Sequence, residues 1–206
     1  MTVSENKVLI IVDGYSSGCA LPKVMSELGW QCVHVQSQKV PPSYFRAAFK
    51  ESDYLAEIPY MEDFNELLET TKMYGPLAVQ PGTESGVFLA DRLAFALDLP
   101  GSDPDTSNAR RDKYSMHELL RSDGVRCADH YVSSELAAMT EWAEQGSWPV
   151  VVKPRASAGS DSVTFCSDKV ELEKAFKNVF GAVNKLGERN DDVLAQRMLY
   201  PTFRAI

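Results

Sequence analysis

The part of this sequence best suited to chemistry is a lysine at the end of an apolar run, followed by a loop of small residues. The segment 149–166 reads PVVVKPRASAGSDSVTFC. Lys153 follows three valines, which predict a buried strand. Desolvating an ammonium costs several kcal/mol unless an anion meets it. A polyanion at the lysine head would therefore account for its place on such a strand. The loop 156–162 suits close backbone approach to phosphate: Gly159 leaves room, and Ser157, Ser160 and the peptide N–H groups can donate hydrogen bonds. The same residues also fit a plain β-hairpin whose Lys153 faces solvent.

Other phosphate-binding patterns are absent. There is no GxxxxGK[ST], and the loop runs from strand to strand rather than from strand to helix. The early loop DGYSSG, 13–18, lacks the GxGxxG fingerprint. It and PGTESG, 81–86, both follow apolar runs, where a parallel sheet places ligands. Ser16 and Glu84 are polar side chains of these loops that could face a ligand there. Glu84 can either border a substrate pocket or cap the helix that follows. No catalytic residue is singled out. The three histidines and four cysteines lack metal-ligand spacing, so no protein-bound metal is expected from them.

These loops need elements to hold them. The run KVLIIVD, 7–13, predicts a buried parallel strand; 20–28 predicts a helix, and QCVHV, 31–35, a second strand, which together make a βαβ unit. An extended piece at 53–58, a helix over 63–73 capped by Asp63, a strand at 77–80 and a strongly amphipathic helix over 87–97 follow. The alternation predicts a parallel sheet covered on both faces over about residues 1–105. DPDTSN, 103–108, is a turn-rich boundary. Beyond it the pattern predicts a helix over 111–122, an extended stretch at 125–132, and a helix over 134–145 capped by Ser134. Strands are expected at 148–154, 163–166 and 192–199, with a helix over 168–180.

With 206 residues, 44% hydrophobic and 24% charged, the chain is long and apolar enough to bury a core. Its net charge of -8 disfavours general nucleic-acid binding. The N-terminus lacks the features of a secretory signal, and no apolar run approaches the roughly 20 residues needed to span a bilayer. These features predict a cytoplasmic protein with no membrane partner and with reduced core cysteines; a homo-oligomer is compatible with them.

The order of motifs then becomes specific: a Rossmann-like region, RDKYSMHELLRSDGV, PVVVKPRASAGSDSV and VLAQRML. This order resembles the ATP-grasp superfamily, and within it the bacterial L-amino-acid ligases and related carboxylate–amine ligases. The resemblance covers nearly the whole chain. It implies an α/β fold with a Rossmann-like pre-ATP-grasp domain at 1–105. At 106–206 it implies an ATP-grasp domain consisting of a helical linker, the α+β small lobe and the start of a truncated large lobe. It implies ATP and Mg2+ as cofactors, and a carboxylate and an amine as partners of the nucleotide.

The resemblance also assigns roles. Lys113 and Lys153 would contact the phosphates. Ser157, Ala158, Gly159, Ser160 and Ser162 would form the lid over them. Gln196, Arg197, Met198 and Leu199 would line the adenine, read by the backbone of Arg197 and Leu199. Read without the resemblance, Lys113 is a solvated helix lysine beside Arg110 and Arg111.

The chain departs from the family pattern at its end, LYPTFRAI, where Pro201, Phe203 and Arg204 replace a Gly-x-Glu-aromatic motif. The acidic and Asn positions that hold magnesium in the family have no counterpart. The expectation is a nucleotide-binding portion incomplete for catalysis, or else a non-catalytic module derived from such an enzyme.

Overall fold

The computed structural model describes residues 7–41, 46–157 and 159–199. The chain divides into two compact units, Met1–Ser107 and Asn108–Ile206.

In the first unit, strands β1 (Lys7–Val12), β2 (Trp30–Val35), β3 (Ala56–Ile58) and β4 (Pro76–Pro81) form a parallel sheet in the order β3-β2-β1-β4. Side chains alternate across a strand, so an uninterrupted apolar run buries both faces. Val8, Ile10 and Val12 join Val33, Val35, Ile58, Leu67 and Leu93 on one side. Leu9, Ile11 and Cys32 pack with Leu21 and Met25 on the other. Each such fully buried side chain contributes about 1.5–3 kcal/mol.

Helix α1 (Leu21–Glu27) covers the second face, whereas α2 (Phe64–Lys72) and α3 (Val87–Ala96) cover the first. Asp63 caps α2 by accepting the Asn65 N–H at 2.8 Å. α3 differs from the strongly amphipathic helix expected. Phe88 and Phe95 are exposed while Asp91 is buried, because the Asp91 carboxylate accepts the Ser107 hydroxyl at 2.5 Å.

A short helix, α4 (Ser107–Arg111), spans the division between the units. The second unit holds α5 (Lys113–Ser122), β5 (His130–Ser133), α6 (Leu136–Glu144), β6 (Val150–Lys153), β7 (Thr164–Cys166), α7 (Lys169–Val179) and β8 (Val193–Arg197). Its four strands form an antiparallel sheet in the order β5-β8-β6-β7. Val150, Val152, Cys166, Val193 and Ala195 turn to the face covered by α6 and α7, against Met139, Ala143, Leu172 and Phe176. The opposite face carries Val151, Lys153, Phe165 and Gln196, set by the pairings Val151 with Gln196 and with Phe165.

Three expected elements are corrected. The helix read over 111–122 is two segments, because Asp112 leaves the helical backbone and caps α5, accepting the Ser115 N–H at 2.7 Å. The helix read from Ser134 begins at Leu136. Ser133 rather than Ser134 supplies the hydroxyl that accepts the Glu135 N–H. The extended stretch read over 125–132 pairs only from His130 onward. Of the four cysteines, all free, Cys32 and Cys166 are buried while Cys19 and Cys127 are half-buried.

Candidate nucleotide site

Two ammonium groups converge in the second unit. Lys153, the last residue of β6, lies on the open face of the sheet and donates to the Gln196 side-chain carbonyl at 2.5 Å. Lys113, the first residue of α5, donates from Nζ to the Arg155 carbonyl at 3.2 Å. Both are half-buried.

Burial holds the Lys153 ammonium below the ordinary lysine range, and the charge of Lys113 pushes it further down. Burial also lowers Lys113, with Arg111 acting in the same direction and Asp112 and Asp161 opposing it. Among the described residues neither lysine forms an ion pair; each ammonium meets only a neutral amide or carbonyl oxygen. Two partly desolvated like charges with no carboxylate directly bonded to either favour an anion that joins them.

The loop between β6 and β7 closes one side. Gly159, Ser160 and Ser162 all have positive φ, 63°, 55° and 51°. Only the glycine adopts that backbone without cost. The loop is pinned from within and from outside. The Asp161 carboxylate accepts the Ser157 hydroxyl at 2.7 Å, the Ser162 hydroxyl at 3.1 Å and the Lys185 N–H at 3.0 Å. Partial burial would raise the Asp161 carboxyl, but these hydrogen bonds hold it below its usual value. Lys185 donates from Nζ to the Gly159 carbonyl at 3.1 Å, and the Asn184 side chain donates to the Ala156 carbonyl at 2.8 Å. Ala158 lies outside the described residues.

At the end of β8, Arg197 turns its guanidinium away from the open face. It donates to the carbonyls of Trp142, Ala143 and Ser147 at the C-terminus of α6 and lies 4.2 Å from the Trp142 ring centroid. Its backbone N–H donates to the Asp129 carbonyl, which leaves its own carbonyl as the group it can offer a ligand. Met198 and Leu199 follow the strand, with Leu199 70% exposed.

The remaining candidates lie in the first unit, where the loops after β1 and β4 pack tightly together. A Cβ on Gly18 would come within 2.3 Å of the Gly82 carbonyl oxygen, so neither loop tolerates a side chain there. Ser16 is exposed with φ 49°, and Glu84 is exposed at the start of a short 3-10 turn, Glu84–Gly86.

Between these loops sits a residue that sequence reading passed over. The buried Asp13 carboxylate accepts from Ser37 N, Ser37 Oγ and Ser85 Oγ at 2.5–2.9 Å. An acid closing an apolar strand is the signal that would have found it. Asp161, Asn184 and Lys185 were also passed over. Among them only Asp161, inside the Ser/Gly loop, carries a local signal. Among the described residues no group of three or more His, Cys, Asp or Glu is placed to hold a metal ion.

A four-stranded parallel sheet followed by a four-stranded antiparallel sheet that bears a lysine and a small-residue hairpin defines a class of fold. The fold is that of the N-terminal part of the ATP-grasp superfamily. No family model matches the sequence. The sequence is 34% identical over 205 residues to dapdiamide A synthase of Enterobacter agglomerans, covering 97% of this chain and 48% of that one. It is similar in structure to the L-amino acid ligase of Bacillus licheniformis, with TM-score 0.66 and 21% identity, covering 94% of this chain and 44% of that one. It is also similar to N5-carboxyaminoimidazole synthetase of Staphylococcus aureus complexed with ADP, with TM-score 0.66 and 15% identity, covering 94% and 48%. The chain spans about half the length of each of these relatives.

Proposed function

We propose that this chain is the ATP-binding portion of an ATP-dependent carboxylate–amine ligase acting on amino-acid substrates. The supporting observation is the pair of half-buried ammoniums, Lys113 and Lys153, that meet only neutral oxygens. A triphosphate supplies the missing negative charge. Lys153 and Lys113 take the phosphate oxygens, and the loop bearing Ser157, Gly159, Ser160 and Ser162 covers them with hydroxyl and N–H donors. Gln196 orients Lys153. The Arg197 carbonyl and the Leu199 N–H form the acceptor–donor pair that reads the adenine edge, with Met198 and Leu199 giving apolar contact. Glu84 and Ser16 are assigned to the acyl or amino substrate.

In the reaction a substrate carboxylate oxygen attacks the γ-phosphorus and ADP leaves, giving an acyl phosphate. The amine then attacks the acyl carbon, loses a proton and expels inorganic phosphate. The two lysines position the triphosphate and neutralise charge that builds on it. Mg2+, when bound, would offset charge on the transferring phosphoryl group; among the described residues no group of three or more His, Cys, Asp or Glu is placed to hold it. The amino-acid reading is supported by the structural likeness to an L-amino acid ligase.

Calorimetric titration with ATP tests the site. Lys153→Ala is expected to weaken binding by about 1.5–3 kcal/mol, the loss of a charge-assisted hydrogen bond. An unchanged affinity would remove Lys153 from the site.

A further inference from the structure

Arg155, two residues beyond Lys153, bonds to the residues that open α5 and to the residue that precedes β8. Its Nε donates to Asp112 Oδ2 at 2.8 Å and its Nη1 to Asp192 Oδ2 at 2.7 Å. Its guanidinium carbon lies 5.3 Å from the Tyr114 ring centroid. Its backbone carbonyl accepts both the Lys113 N–H at 3.0 Å and the Lys113 ammonium at 3.2 Å. Asp112 is meanwhile the N-cap of α5, and Asp192 immediately precedes β8.

One side chain thus joins the start of the helix bearing Lys113, the end of the strand bearing Lys153 and the start of the strand bearing Gln196. The two lysines repel each other, so something has to hold their backbones together while the site is empty. The planar guanidinium fork can bridge two carboxylates at once; a lysine ammonium, a point charge, cannot reproduce that geometry.

We infer that Arg155 is a positioning residue that holds Lys113 and Lys153 convergent through Asp112 and Asp192, without itself contacting the nucleotide. The inference rests on the proposed nucleotide site. It makes triphosphate affinity depend on a guanidinium whose charge is already spent on two carboxylates. Its contribution passes through Lys113, so it disappears when Lys113 is removed.

The test is a double-mutant cycle on the full chain, with ATP as the probe and affinity read by calorimetry. Wild type and Lys113→Ala come first. Failure of the wild type to bind ATP, or full retention of affinity by Lys113→Ala, overturns the nucleotide-site reading together with the inference built on it. With that site standing, Arg155→Lys keeps the charge but is expected to lose about tenfold in ATP affinity. In the Lys113→Ala background the same substitution is expected to cause almost no further loss, the signature of coupled residues. Wild-type affinity in Arg155→Lys, or losses that simply add in the double variant, would overturn the positioning role while leaving the site intact. Asp192→Asn, which weakens one arm only, serves as the second variant should Arg155→Lys fail to fold. A smaller loss that again vanishes without Lys113 is expected of it. An affinity equal to wild type, or a loss that persists in Lys113→Ala, would refute the clamp.

Discussion

The free site stores electrostatic repulsion between two side chains, and that repulsion has a pH signature. Lys113 and Lys153 are both held below the ordinary lysine range, first by burial and then by neighbouring positive charge. The ammonium forms that would bind phosphate in the proposed site exist below the lowered values and are lost as pH rises through them. ATP affinity is therefore expected to fall at a pH lower than ordinary lysines would give. Calorimetric titrations from neutral pH upward check this. In Lys113→Ala the remaining step, belonging to Lys153, moves to higher pH because the like charge is gone. An affinity flat to the ordinary lysine range would contradict the pairing.

Lys153 stands out in the sequence because three valines precede it. Lys113 does not, since it follows Arg110, Arg111 and Asp112 in an ordinary polar stretch. Only the fold brings its charge to bear on Lys153. Arg155 is less visible still, because its carboxylate partners lie 43 and 37 residues away.

At the scale of elements, the loop between β6 and β7 combines looseness of composition with strain of backbone. Ser162 adopts φ 51°, a left-handed conformation that costs an L-residue roughly 1–2 kcal/mol. Its hydroxyl offsets part of this by donating to Asp161 at 3.1 Å. Ser162→Gly is accordingly expected to stabilise the chain by about 0.5–1 kcal/mol, read as a rise in thermal midpoint. A lowered midpoint would show that the hydroxyl contact outweighs the strain.

Strands and their order of appearance were legible from runs such as KVLIIV and PVVVK, whose burial leaves little freedom of interpretation. Helix ends were less so. Asp112, Ser133 and Ser134 could each have begun a helix. At Asp112 the choice was made with a non-local partner, Arg155, which claims one Asp112 oxygen while the other caps α5.

At the scale of the whole molecule, each unit has its own core, and the first contains a group sensitive to acid. His34 is fully buried among Tyr15, Phe49 and Tyr54. Burial, with help from Arg46, lowers its pKa to about 4. Glu57 approaches Nδ1 at 3.5 Å, too far to form a hydrogen bond with either ring nitrogen, so burial governs.

The unfolded chain takes up this proton near the ordinary histidine value of about 6.5, while the folded chain does not until about 4. Stability is thus complete above the higher value and declines as pH falls through the window, by on the order of 3 kcal/mol. Denaturant unfolding across that range, with His34→Leu for comparison, measures the effect. The variant should lose that part of the slope, and an identical slope in both proteins would contradict it. No helix among the described residues is long and apolar enough to cross a membrane.

In the proposed site a triphosphate completes the Lys113–Lys153 pair. The most direct measurement is affinity along the series adenosine, AMP, ADP and ATP, in wild type and in Lys113→Ala/Lys153→Ala. Affinity is expected to rise with each phosphate in the wild type and to stay nearly flat across the series in the double variant. Wild-type protein that binds ATP no more tightly than adenosine would contradict it.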